Sequence, residues 1–371
     1  STLDCYGSGG VNAFTNNGSF TKQGAGPTQF NVSTTGVAFN NAGTVNVQAG
    51  TLLVATPGSS SAGDFVLSNS ATLQFATSFT HNDTSTISGL GTLNLGATTH
   101  TIAGAVSWSL QALSIIPGTT ITGGSGLSIA ATTIALSTSI SAGLLDIDGA
   151  LTIQGGLPIS ISTTGAQSYN NGVTVLGATP VVLTAGTLDL VSGFTGNNTS
   201  LTLNVSGPST LSGNITGVST LVTTGAGTIE VTAPSIQTTG PQVYANPILI
   251  MTAAGSFTST TGLVAFDSTL NVGANNLTIT GDEIDFAAAV SGTGILTLLP
   301  ASLTQNIEVG PGDEDPLALE ITEAELDQFG DSFSGIVFGL PTGAGTLSVG
   351  TYVFDDSVEF RMPGGGIVEV I

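Results

Sequence analysis

The groups that could do acid–base, nucleophilic or metal chemistry are few. The 371 residues hold 24 acidic residues, two histidines, one cysteine and two basic residues. A Ser-His-Asp triad would need His81 or His100 beside an Asp and an activated Ser. No Gly-x-Ser-x-Gly elbow stands between a strand and a helix to present that Ser. Both histidines therefore read as plain loop or surface residues. A glycosidase needs only two carboxylates about 5 to 10 Å apart. Asp146 with Asp148, or Asp282 with Asp285, would supply the pair. Yet Leu145-Asp146-Ile147-Asp148 alternates, so both acids point to solvent from one strand. A lyase acting on acidic sugars would need cations, and Lys22 and Arg361 are the only two in the sequence. With one Trp (Trp108) and four Tyr there is little surface for sugar stacking. The expectation is a protein that is not an enzyme.

Metal binding is the more open chemistry. Hard oxygen ligands suit Ca²⁺, and they cluster at Asp282, Glu283 and Asp285, at Asp313, Glu314 and Asp315, and at Asp355, Asp356 and Glu359. The candidate Ca²⁺ ligands are Asp282, Asp285, Asp313, Glu314 and Asp315; the alternative is a solvated acidic face. No other cofactor is expected. There is no zinc constellation of thiols and imidazoles and no phosphate-binding glycine loop. Lys22 reads as a surface lysine, with an isopeptide bond to an Asn or Asp as the sharper alternative.

Charge excludes whole classes of partner. A net charge of −22 with two cations repels a nucleic acid backbone and an anionic membrane surface. No apolar run approaches the roughly 18 residues that would span a bilayer, so membrane insertion is not expected. Cys5 is the single cysteine, so no disulfide forms within the chain. The opening Ser1-Thr2-Leu3-Asp4 reads either as a processed secreted chain or as an arbitrary boundary.

What positions these groups is a short repeat. Gly50-Thr51-Leu52-Leu53-Val54, Ala71-Thr72-Leu73-Gln74-Phe75 and Gly91-Thr92-Leu93-Asn94-Leu95 share one pattern. A small residue turns the chain, and the third and fifth residues are apolar. That is period-2 alternation, with one face buried. The three runs recur at 21 and 20 residues, a length suited to one coil of a parallel β-helix. Coils of about 20 to 25 residues would number about 15 to 18. Phe14-Thr15-Asn16-Asn17-Gly18 returns as Phe39-Asn40-Asn41-Ala42-Gly43. It predicts stacked Asn corners. The fold class expected is all-β: one elongated right-handed parallel β-helix, with one short helix over Glu323 to Phe329. Thr322 and Glu325 form its capping box. The expected division is a solenoid with an N-terminal capping segment over 1–331, then an acidic region and terminal strand over 332–371.

Several stretches resemble a family. Val37-Ala38-Phe39-Asn40-Asn41-Ala42-Gly43-Thr44-Val45-Asn46-Val47 looks like the repeats of bacterial autotransporter passengers and filamentous-haemagglutinin-like adhesins. Leu277-Thr278-Ile279-Thr280-Gly281-Asp282-Glu283-Ile284-Asp285-Phe286 is similar to repeats of large haemagglutinin-like surface proteins, including cyanobacterial ones. The resemblance implies a right-handed β-helix at or released from a bacterial cell surface. It does not say what is bound.

The expected function is a structural subunit of an extracellular filament, matrix or surface layer, assembling with itself head to tail. Ile367, Val368, Val370 and Ile371, behind the hinge Gly364-Gly365-Gly366, are the candidate assembly residues. They would either be donated to a neighbouring copy or pair within their own chain. The alternative function is an adhesin arm that binds cell-surface glycans. An ice-binding solenoid would need outward Thr-x-Thr in register. From sequence only isolated cases such as Thr99 and Thr101 stand out.

Overall fold

In the computed structural model the described residues are 2–3, 12–30, 36–311, 317–362 and 364–371. They form a parallel β-solenoid of about 17 turns, with one short helix near the C-terminus. The coil count lies within the expected range. Cys5 and the candidate ligands Asp313, Glu314 and Asp315 lie outside the described residues. Among the described residues no helix is long and apolar enough to cross a membrane. The chain divides into two compact units. Unit 1 is Ser1–Thr179 with Thr184–Gly186, and unit 2 is Pro180–Leu183 with Thr187–Ile371.

In unit 1 the coils lay their strands on three faces, and Val106–Ile115 and Gly126–Leu136 each run unbroken through the first two of them. Thr44–Val47, Asp64–Leu67 and Thr86–Gly89 lie on the first face. Thr51–Val54, Thr72–Phe75 and Thr92–Leu95 lie on the second. Ser59–Ser61, Phe79–His81 and Thr99–Ile102 lie on the third. Each strand pairs in parallel with its counterpart one coil on, so identical positions of the repeat stack. Leu52, Leu73, Leu93, Leu113 and Ile134 form one continuous inward column, and all are buried. A lone four-residue strand buries too little to be stable. Stacking gives each Leu a neighbour above and below, and full burial of such a side chain contributes about 2 kcal/mol.

The Asn corner forms as expected. Asn16 Nδ2 donates to Asn41 Oδ1 at 2.8 Å, and Asn41 Nδ2 donates to Ser61 Oγ at 3.2 Å. The Phe14 and Phe39 rings stack at 5.6 Å. The corner leaves no room for a side chain at Gly63, where a Cβ would stand 2.1 Å from the Gly43 carbonyl oxygen.

Unit 2 stacks in the same way. Ile229, Ile248, Leu270 and Val290 continue one column, and Tyr244, Phe266 and Phe286 stack at 5.0 and 5.6 Å. The helix spans only Glu323–Leu326, with Thr322 and Glu325 making the capping box. It stops short of the expected Phe329 because that residue is needed elsewhere. Phe329 bridges Val290 and packs edge-on against Phe286 at 5.2 Å. A second sheet runs Leu319–Ile321, Ile307–Val309, Thr346–Val349, Ile367–Val370 in spatial order.

Candidate functional site

Three expectations about polar residues are corrected by the fold. His81 and His100 are not loop or surface residues; both are fully buried on the third face. They occupy the inward positions of Phe79-Thr80-His81 and Thr99-His100-Thr101, where the alternation places core. His81 Nε2 stands 3.4 Å from His100 Nδ1, and the His81 ring meets the Trp108 ring at 5.2 Å. Lys22 is buried as well, not a surface lysine. Its ammonium donates to the carbonyls of Gly24 at 2.5 Å and Ala49 at 2.7 Å. Turn carbonyls two residues beyond two strand ends thus satisfy a charge that burial would otherwise penalise.

Of the candidate calcium ligands, Asp282 immediately precedes the strand Glu283–Phe286 and Asp285 lies within it. Burial, then the nearby charges of Asp285 and Glu325, push the Glu283 carboxyl up to about 7. Asp285 is raised by burial and by Asp267. Glu325 is raised chiefly by burial, against the hydrogen bonds it accepts from Thr322 and from the Phe286 N–H. Here Glu325 ties the short helix to the neighbouring strand. Among the described residues no three His, Cys, Asp or Glu side chains converge as a metal site would require. Of the two cations, Arg361 is taken by Glu359, in two contacts of 2.6 Å.

A cleft of about 170 Å³ opens where Asp327, Asp331, Tyr352, Phe354, Asp355 and Asp356 meet. The Tyr352 hydroxyl donates to Asp327 at 3.1 Å, and its ring lies 5.0 Å from Phe354. Asp356 accepts the Phe333 N–H at 3.1 Å. Aromatic faces among carboxylates suit a ligand with an apolar face and donor groups. Sequence reading found Asp355 and Asp356 but not Tyr352 or Phe354, because the residues that complete the cleft lie some 25 positions upstream. Also missed was a polar device used in both units. Gln167 accepts the buried Tyr169 hydroxyl at 3.1 Å, and Gln242 accepts that of Tyr244 at 2.7 Å. The shared Gln-x-Tyr spacing was its only signal.

The terminal strand is the other candidate. Ile367–Val370 pairs in parallel with Thr346–Val349, in register Leu347 to Val368 and Val349 to Val370. Within this chain it is thus the self-paired outer strand of the second sheet. The columns it continues are buried at Leu347 and Val349 but exposed at Val368 (47%) and Val370 (82%). Ile367 and Ile371 are exposed too. Its far edge has no partner strand among the described residues. Among the described residues Val358–Phe360 likewise pairs on one side only, with Gly335–Phe338. No protein-family model, curated protein or solved structure matches the chain.

Proposed function

We propose that this chain is a structural subunit of an extracellular bacterial filament or matrix, extended by stacking a further coil on its open edge. The observation that carries this reading is the strand Ile367–Val370, whose apolar positions stand in core columns yet remain uncovered. An edge of unpaired N–H and C=O groups beside exposed Val side chains is a template for another strand. A second copy of this chain would supply it, in a heterologous contact that propagates. The high negative charge would oppose such contact, so millimolar Ca²⁺ should favour it. Negative-stain microscopy of the purified chain, with and without calcium, tests this. Long uniform fibres are expected from the natural sequence, and none from Val368→Lys with Val370→Lys. Isolated particles under every condition would overturn the filament reading.

The Tyr352 cleft favours a second reading, an adhesin arm that binds glycans. On a glycan array, that reading expects retained ligands to be lost in Tyr352→Ala. An array that retains nothing, or one unchanged by the substitution, removes it.

A further inference from the structure

The third face of unit 1 carries two columns of hydroxyls, which corrects the expectation that outward Thr-x-Thr is not repeated in register. Ser60, Thr80, Thr101, Thr122, Ser141 and Ser162 are consecutive partners in the parallel ladder. Thr99 pairs with Thr120 two residues earlier on the same strands. Ser160 stands at that same offset before Ser162 within its strand, and Ser78 and Ser139 immediately precede the strands that carry Thr80 and Ser141. The result is five hydroxyl doublets on successive coils. Each doublet residue is exposed or half-exposed. No register shift interrupts these pairings.

We propose that this face binds crystalline ice. Coils repeat about every 4.8 Å, and residues two apart along a strand about every 6.7 Å. Water oxygens hydrogen-bonded at about 2.75 Å in a tetrahedral network lie about 4.5 Å from second neighbours and repeat at about 7.3 Å along the stacking direction. Each repeat of the face is within about a tenth of one of these. Rotatable hydroxyls, which both donate and accept, take up the difference. The face is also chemically uniform. Its strands Ser59–Ser61, Phe79–His81, Thr99–Ile102, Thr120–Gly123, Ile140–Ala142 and Ile159–Thr163 hold no Asp, Glu, Lys or Arg, and no outward aromatic ring. By contrast the first face carries exposed Asp64 and half-exposed Asp146. A charged ligand finds no counterpart on the third face, and a sugar finds no ring to stack on. An uncharged periodic lattice of hydrogen-bonding groups fits it.

The backing is rigid. Between the hydroxyls of each doublet lies a buried residue: Phe79, His100, Ile121, Ile140 or Ile161. Branching at Cβ stiffens the four Thr of the second and third doublets at χ1. Two hydroxyls of these columns are already engaged: Ser139 Oγ accepts the Ser160 N–H at 2.9 Å, and Ser60 Oγ donates to Asn40 Oδ1 at 3.3 Å.

The test uses the full chain in an ice-recrystallisation assay and in partition into a slowly growing ice hemisphere. Three variants accompany it. Thr101→Lys with Thr122→Lys sits at the centre of the face, and Ser141→Lys at one side of it. Asn94→Lys is the control, outward on the second face. Thermal midpoints confirm that each remains folded. The natural chain and Asn94→Lys should enter the ice and hold grain size. The double variant should lose activity at least tenfold, and Ser141→Lys should lose part of it. The proposal is overturned if the natural chain is excluded from ice, or if the Lys variants match it. It is equally overturned if the chain pellets with microcrystalline cellulose or chitin and leaves ice untouched.

Discussion

Acidification from pH 7 to pH 4 weakens unit 1 at His81 and His100 while relieving strain in unit 2. Burial lowers both histidines, His100 to about 4 and His81 well below its ordinary value, with His100 adding to the effect on His81. The geometry explains why neither accepts a second proton easily. His81 Nε2 faces His100 Nδ1, so one nitrogen must act as acceptor. His81 Nδ1 has no protein partner to receive a new N–H. An unfolded chain protonates its histidines near 6.5. Between that value and about 4 the unfolded state therefore binds more protons, and stability rises with pH. The contribution is present above about 6.5 and is lost as pH falls towards 4. For His100 alone it amounts to about 3 kcal/mol, with His81 acting in the same direction.

Glu283, Asp285 and Glu325 run the other way. Their carboxyls are raised in the folded state, Glu283 to about 7. Their stabilising contribution is present below the ordinary carboxylate range and is lost as pH rises through their raised folded-state values, about 7 for Glu283. Trp108, the single tryptophan, lies against His81 and reports unit 1 alone. Its thermal transition should fall on acidification, and His81→Leu with His100→Leu should flatten that fall. A Trp108 transition that stays put between pH 7.5 and pH 5 would show the argument to be wrong.

The second large effect separates two adjacent residues. Leu93→Asp should unfold the coils around it, whereas Asn94→Asp should shift stability by no more than about 0.5 kcal/mol. Leu93 is wholly buried between Leu73 and Leu113. A carboxylate there loses its hydration and finds no cation, which costs at least several kcal/mol. Asn94 points outward on the same strand and already faces water. Because each coil contacts chiefly its neighbours, the damage should begin locally. Limited proteolysis followed by mass spectrometry would show it as new cleavage near residue 93. Leu93→Asp protein as resistant as the natural chain would contradict the assigned alternation.

The repeats at Gly50, Ala71 and Gly91 were enough to foresee parallel coils, and the structure stacks those three runs in register. The Asn16–Asn41 corner was equally legible, since the same residues return at the same place in the repeat. What misled was reading polar residues by type. By type His81, His100 and Lys22 belong outside, because such side chains seldom enter a core. Alternation overrides type here: each occupies an inward position, and the stacked coils supply rings or carbonyls around it.

Local pattern, then, determined that this is an all-β solenoid, its coil length and its capped short helix. These depend on contacts within a coil or between coils about 20 residues apart, and the repeat writes them into the chain. Only the tertiary structure decided which coils align with which. Loop lengths vary, and a shift of one residue would turn every side chain to the opposite face. That alignment joins Thr80, Thr101 and Thr122 into a column and buries the two histidines together. It also brings Asp327 to Tyr352, across a stretch of chain in which no short-range pattern announces the contact.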